Sequence, residues 1–233
     1  MDGISLIIPT MGNANNLLRL LISIEKQRID FSLQVILICN PVYDLTKAKM
    51  LQDQLIKNSN QIFEFHTMAK AGVNRARNQG LAKTKFATIL FIDDDCELDD
   101  PLLLQKHFDL HRERLDLFAV GGVYGLPKQA STLSRMYHEI QMTWLYRGLL
   151  SENSARQTNY LIGGHFSVKK IFVDSRHLRF DENIVYGGSE LSFFAQARET
   201  NLPLELFEMS VLHHARETFP SLQKKLFKQG IGH

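Results

Sequence analysis

The sequence predicts an α/β domain built on a mostly parallel central sheet with helices covering its faces. Two observations carry that prediction. Short, mostly apolar runs alternate with segments of helical periodicity, and the first, second and fourth runs stop at turn-forming or acidic residues. The length agrees: 233 residues, 44% of them hydrophobic, suffice for one domain with a substantial core and no staples.

Ile4 to Ile8 is the first run, ended by Pro9-Thr10 and the turn residues Gly12-Asn13. Leu17, Leu20, Leu21 and Ile24 then form a helical stripe. Leu33 to Cys39 is the second strand, closed by Asn40-Pro41. Leu45, Ala48, Leu51 and Leu55 mark a second helix, and Ile62 to Phe65 a third strand. Ala69 to Lys83 reads as a loop feeding a helix, and Phe86 to Ile92 as a fourth strand running straight into Asp93-Asp94-Asp95. The second half is less regular. Ala119 to Tyr124 reads as a strand, residues 131–150 as a helix, and Tyr160 to Lys169 contains Gly163-Gly164. Phe180 to Glu190 is polar, Ser192 to Glu199 helical and Pro203 to Leu212 extended. No repeat or linker interrupts the pattern. One domain is therefore expected over 1–216, with a basic amphipathic extension over 217–233 carrying Leu222, Leu226 and Phe227 beside Lys224, Lys225 and Lys228.

A formal net charge of +2, from 27 Lys+Arg against 25 Asp+Glu, gives no electrostatic reason to expect a nucleic-acid partner and excludes an acidic disordered chain. Cys39 and Cys96 lie far apart among apolar residues, with neither a disulfide framework nor metal-knuckle spacing. No apolar run reaches the ~20 residues needed to cross a bilayer. A cytoplasmic location is expected, with peripheral contact at the inner membrane face as the variant the basic tail permits.

In open parallel sheets ligands sit beyond the carboxyl ends of the strands, which gathers Pro9-Thr10, Asn40 and Asp93–Asp95 onto one rim. Three consecutive carboxylates repel one another unless a cation or hydrogen-bond donors offset the charge. A divalent ion completed by diphosphate oxygens would do so, whereas a solvated acidic turn would leave them in water. Upstream, Arg77 offers a planar fork of donors for a phosphate or base carbonyl, and Asn78 can position it or the loop. His107 and His111 share a helix face but lack the Glu of a metalloprotease helix, so they read as a solvated face. Trp144, Tyr146 and Arg147 suit either an acceptor groove or ordinary packing.

Taken together, Ser5-Leu6-Ile7-Ile8-Pro9-Thr10, Ala76-Arg77-Asn78-Gln79-Gly80-Leu81-Ala82, Ile89-Leu90-Phe91-Ile92-Asp93-Asp94-Asp95, Gly163-Gly164-His165-Phe166 and Gly187-Gly188-Ser189-Glu190 resemble the family 2 glycosyltransferases. The resemblance spans about residues 4 to 216. It implies an inverting enzyme of the GT-A fold, with a Rossmann-like, mostly parallel central sheet flanked by helices. It places Pro9, Thr10, Asn40, Arg77, Asp93 and Asp94 in the donor pocket, and Asp95 on Mn²⁺ or Mg²⁺ against the diphosphate. The family often carries Asp where Asn40 stands, reading a uracil. His214 falls at the family's metal-binding histidine, with His213 as the alternative. The family's usual Glu-Asp is here Ser189-Glu190, which puts Glu190 in the place of the base that deprotonates the acceptor hydroxyl. Asp181 and Glu182 are the reserve candidates.

The expected function is metal-dependent transfer of a sugar, hexosyl or N-acetylhexosaminyl, from a nucleotide-diphospho donor. A UDP-sugar is the expected donor, and a glycan, lipid-linked or other hydroxyl compound the acceptor. Two rivals stand beside it. A sugar-nucleotide nucleotidyltransferase would need basic residues soon after the first strand, where Met11-Gly12-Asn13-Ala14-Asn15-Asn16 has none. A non-catalytic sugar-nucleotide-binding protein is suggested by Ser189 replacing the usual acid.

Overall fold

The computed structural model describes residues 2–40, 61–151, 154–184, 189–214, 218–223 and 227. The helix expected around Leu45 to Leu55, the Gly187-Gly188 pair, the side chains of Trp144, Tyr146 and Arg147 and most of the basic tail lie outside the described residues.

The first half forms β1 (Gly3–Thr10), α1 (Ala14–Glu25), β2 (Ser32–Cys39), β3 (Gln61–Thr67), α2 (Val73–Leu81) and β4 (Thr88–Ile92). After it come β5 (Cys96–Glu97), α3 (Leu103–Glu113), β6 (Ala119–Gly125), α4 (Thr132–Leu149), β7 (Leu150–Ser151) and β8 (Ser154–Thr158). The chain then continues through β9 (His165–Lys169), α5 (Lys170–Ser175), α6 (Ser189–Glu199) and β10 (Leu204–His213). These form one sheet in the order β3-β2-β1-β4-β9-β6-β10-β8-β7, with β5 attached to β10.

The parallel part is β3-β2-β1-β4, joined further along by β6 and β10. Mostly parallel describes only that part. β9 enters antiparallel between β4 and β6, so the sheet as a whole is mixed. The apolar run reads the same either way, because both faces of a central strand are covered.

That double cover explains why the strands do not alternate in polarity. Ile4, Leu6 and Ile8 of β1 pack with Leu17, Leu20, Leu21 and Ile24 of α1, while Ile7 turns to the other face with Ala76 and Leu81 of α2. Phe91, Phe166, Phe180, Phe193 and Phe194 fill that second face around α6. Each such fully buried side chain contributes about 1.5–3 kcal/mol of apolar burial. Asn13 caps α1, its side chain accepting from the Asn15 and Asn16 N–H groups. Two buried polar side chains within β1 and β2, Ser5 and Gln34, satisfy each other, and Gln34 also bonds Glu64 and the Lys83 carbonyl.

One expectation is reversed. His107 and His111 do share a face of α3, but that face is interior. Alternate residues of β9, His165 and Ser167, point at it, so Ser167 Oγ lies 2.8 Å from both His107 Nδ1 and His111 Nε2. His107 Nε2 meets His165 Nε2 at 3.0 Å. Burial holds all three imidazoles below their usual range, His111 to about 3, His165 to about 4 and His107 well below. A polar helix face looks identical in sequence whether it meets water or a polar strand face.

Candidate active site

The rim expected from topology exists. Thr10, at the carboxyl end of β1, is buried and donates its hydroxyl to Asp94 Oδ2 at 2.5 Å, while accepting from the Gly12 N–H at 3.0 Å. The hydroxyl is thus already committed to the acidic turn. Pro9 lies within β1, two residues past Ile7–Phe91, the last pair that β1 makes with β4. Asn40 follows β2, its N–H bonded to the Thr10 carbonyl. Its Oδ1 is buried and has no hydrogen-bond partner among the described residues, so none of them offsets the desolvation of this acceptor.

Asp93, Asp94 and Asp95 are held apart by separate partners. Arg77, only 3% exposed, gives Nη2 to Asp93 Oδ1 at 3.2 Å and to the Gly163 carbonyl at 2.9 Å. Its guanidinium lies 5.3 Å from the centre of the Phe180 ring. Close packing of Asp93 pushes its carboxyl above the usual range; Arg77 opposes the shift, and Asp95 and Glu190 reinforce it. Burial raises Asp94 to about 6 despite the Thr10 hydrogen bond, again with neighbouring carboxylates adding to it.

Asp95 faces His213: Oδ2 to Nε2 is 3.2 Å. His214, the histidine expected there, points elsewhere and pairs with Glu97 at 2.6 Å, while its N–H bonds the Asp95 carbonyl. The reason is strand alternation. β5 pairs antiparallel with β10, Cys96 opposite His213, and consecutive residues of β10 face opposite ways. Counting along the sequence reaches the right pair of residues but cannot select the face.

Glu190 begins in the first turn of α6. It meets the site at Gly163: a Cβ built there would stand 3.1 Å from both Glu190 Oε2 and Arg77 Nη2. Gly164 is tighter, with Asp93 Oδ2 at 2.6 Å from such a Cβ and the Tyr124 hydroxyl nearer still. A side chain at Gly164 would displace the Tyr124 hydroxyl and Asp93, whereas at Gly163 the tips of Arg77 and Glu190 would have to give by a few tenths of an ångström. The reserve carboxylates do other work. Glu182 pairs with Arg75 at 2.8 Å and accepts from Asn78, and Asp181 Oδ1 accepts from the Asn183 N–H. Asn74 and Asn78 also grip the backbone of this segment, at Asp181, Ile184 and Phe180. Arg75 therefore serves the 180–184 loop, and of the two helix arginines only Arg77 reaches the acidic turn.

Sequence reading overlooked Tyr124, whose hydroxyl accepts from the Gly164 N–H at 3.0 Å and whose ring stacks on His213. Its position at the carboxyl end of β6, on the same rim as Thr10, Asn40 and Asp93, was the available signal.

Asp95 and His213 offer an oxygen and a nitrogen donor close enough for one ion to accept both. That set suits Mn²⁺ and Mg²⁺, which are commonly held by few protein ligands and completed by phosphate oxygens and water. Among the described residues no group of three or more His, Cys, Asp or Glu side chains forms a full cage. Asp95 and His213 therefore fit an ion whose remaining ligands come from a diphosphate or water.

A mixed α/β sheet with a charged rim at its strand carboxyl ends is the arrangement in which open α/β folds bind their ligands. Residues 5–176 match the model of Glycosyl transferase family 2, and the chain belongs to that family. No curated protein sequence matches it. Among solved structures it is similar to S. aureus TarS. Against TarS 1–349 in complex with UDP the identity is 12% and the TM-score 0.67, covering 100% of this chain and 65% of that one. Against the same protein with UDP-GlcNAc the values are 14%, 0.66, 94% and 60%. Against a longer TarS structure they are 14%, 0.62, 89% and 35%. The chain thus spans between 35% and 65% of these relatives' length, and the likeness establishes the GT-A glycosyltransferase fold. No helix among the described residues is long and apolar enough to cross a membrane.

Proposed function

We propose that this protein is a metal-dependent inverting glycosyltransferase that moves a sugar from a UDP-sugar donor to a hydroxyl acceptor. The observation that carries the reading is the convergence at Gly163. Arg77 binds its carbonyl at 2.9 Å, Asp93 lies 3.2 Å from Arg77, and Glu190 closes on the same glycine. A buried cation and a carboxylate on one turn provide the two charges that such a transfer needs. Arg77 offsets negative charge on the departing diphosphate, and Glu190 takes the proton from the attacking hydroxyl. Both act on charge that grows toward the transition state, where stabilisation accelerates the reaction.

The orphaned Asn40 Oδ1 supports uridine in particular, since the imide N–H of a uracil would satisfy it. TarS structures with UDP and UDP-GlcNAc make UDP-GlcNAc the first donor to try. When bound, Mn²⁺ or Mg²⁺ would supply additional neutralisation of the diphosphate, held by Asp95 and His213 in place of the His214 expected from sequence. Asp94, anchored by Thr10, shapes the turn that presents both neighbouring carboxylates.

The test is UDP release from UDP-GlcNAc with MnCl₂, alongside a thermal-shift panel of UDP-, GDP- and dTDP-sugars. Transfer or slow hydrolysis that falls at least a hundredfold in Glu190→Gln supports the assignment; full transfer by that variant removes Glu190 from the base role. A second reading, a non-catalytic sugar-nucleotide binder, is favoured by Ser189 standing where the family carries an acid. Donor-dependent stabilisation without any UDP release would select it.

A further inference from the structure

Tyr124 is unused in the mechanism above, yet the sheet register places it against both halves of the site. β6 and β10 run parallel with Tyr124 opposite Val211, so Tyr124 and His213 are diagonal neighbours on one face. Their rings stack with centroids 4.5 Å apart and 16° between planes. On its other side β6 runs antiparallel to β9, with Gly121 opposite Phe166, and the residues preceding β9 return alongside Tyr124. There the Gly164 N–H donates to the Tyr124 hydroxyl at 3.0 Å.

Each contact restrains something that is otherwise loose. An imidazole rotates freely about its last torsion, and the stack fixes the ring plane in which His213 Nε2 faces Asp95 at 3.2 Å. The Gly163-Gly164 turn has no side chains with which to lock itself. Arg77 holds its first carbonyl, and the tyrosine hydroxyl holds its second N–H. Asp93 is tied to the same turn through its own N–H, which donates to the Gly164 carbonyl at 3.4 Å.

We propose that Tyr124 is a positioning residue for the sugar transfer, its ring setting the plane of His213 and its hydroxyl setting the glycine turn on which Arg77, Asp93 and Glu190 converge. The inference rests on the transferase reading, and it separates into two parts because the ring and the hydroxyl can be removed independently.

The experiment compares wild type, Tyr124→Phe and Tyr124→Met, with urea denaturation to confirm that each folds. Three quantities are read: kcat and KM for UDP release from UDP-GlcNAc, Mn²⁺ affinity in the presence of UDP by electron paramagnetic resonance, and the His213 ring resonances by NMR. Tyr124→Phe keeps the stack and loses the hydroxyl. It is expected to lower kcat about tenfold, the scale of one lost hydrogen bond, with KM and Mn²⁺ affinity within about twofold of wild type. Tyr124→Met fills the space without a flat ring. It is expected to shift the His213 resonances and weaken Mn²⁺ about tenfold besides the loss in kcat. A wild-type kcat in Tyr124→Phe overturns the hydroxyl's role. Unchanged Mn²⁺ affinity in Tyr124→Met overturns the ring's role, since loss of the neighbouring ring current by itself moves the His213 resonances; should that variant not fold, Tyr124→Leu is read in its place. A wild-type protein that neither binds UDP-GlcNAc nor releases UDP overturns the transferase reading itself, which the NMR result does not depend on.

Discussion

Acidification should unfold this protein through its interior, at the imidazoles of α3 and β9. His107, His111 and His165 are buried and neutral, with folded-state pKa values well below the usual 6.5, about 3 for His111 and about 4 for His165. A histidine whose folded pKa is depressed binds fewer protons folded than unfolded, so stability rises with pH across the interval between the two values. The stability is complete above about pH 7 and erodes as the pH falls below 6.5. At pH 5 His111 and His165 each cost about 2 kcal/mol, from 1.5 pH units at about 1.4 kcal/mol per unit. The two make about 4 kcal/mol, a large share of a typical domain's 5–15 kcal/mol, and His107 adds in the same direction. Asp94 works the other way. Its pKa, raised by burial to about 6, returns about 1 kcal/mol over the same range. The net expectation is a loss of about 3 kcal/mol between pH 7 and 5 from these groups. Urea denaturation followed by circular dichroism at half-unit pH intervals measures it. His111→Gln keeps a polar group near Ser167 and cannot titrate, so it should remove about 2 kcal/mol of the pH-dependent loss. A urea midpoint independent of pH from 7 to 5, or an unchanged slope in His111→Gln, would refute the argument.

Other outcomes follow from the same geometry. Asp95→Ala should lose the Mn²⁺-dependent part of UDP stabilisation in a thermal-shift assay while its metal-free melting stays within a few degrees of wild type; an undiminished Mn²⁺ effect would remove Asp95 from the ion. Gly164→Ala drives a methyl into Asp93 and the Tyr124 hydroxyl, so UDP-GlcNAc turnover should fall at least tenfold, read in steady-state kinetics. Gly80→Ala sets two effects against each other. Helix propensity gains about 1 kcal/mol, but the new Cβ meets Ile7 Cγ2 at 2.5 Å, and overpacking of that kind costs about 1–3 kcal/mol. Net destabilisation by chemical denaturation is expected.

Much of this molecule was legible in one dimension. Mostly apolar runs such as Ile4 to Ile8 and Phe86 to Ile92 mark strands covered on both faces, because a strand buried on both sides lacks strict alternation. The rule that ligands gather at strand carboxyl ends correctly joined Thr10 to Asp94 across 84 residues of sequence. What periodicity could not convey was sidedness. The histidines of α3 have the pattern of a surface face and lie inside because β9 offers them Ser167 and His165. Arg75 and Arg77 sit two apart on one helix and therefore diverge, one to the 180–184 loop and one to Asp93.

The sequence by itself determined the strand-and-helix alternation, the family, and the residue types on the rim, since these follow from local hydrophobic period and the order of short motifs. Tertiary structure alone decided that β9 enters antiparallel and makes the sheet mixed, that His213 and not His214 faces Asp95, and that Tyr124 belongs to the site. Those outcomes depend on register between strands distant in sequence, and a shift of one residue exchanges every side chain between faces.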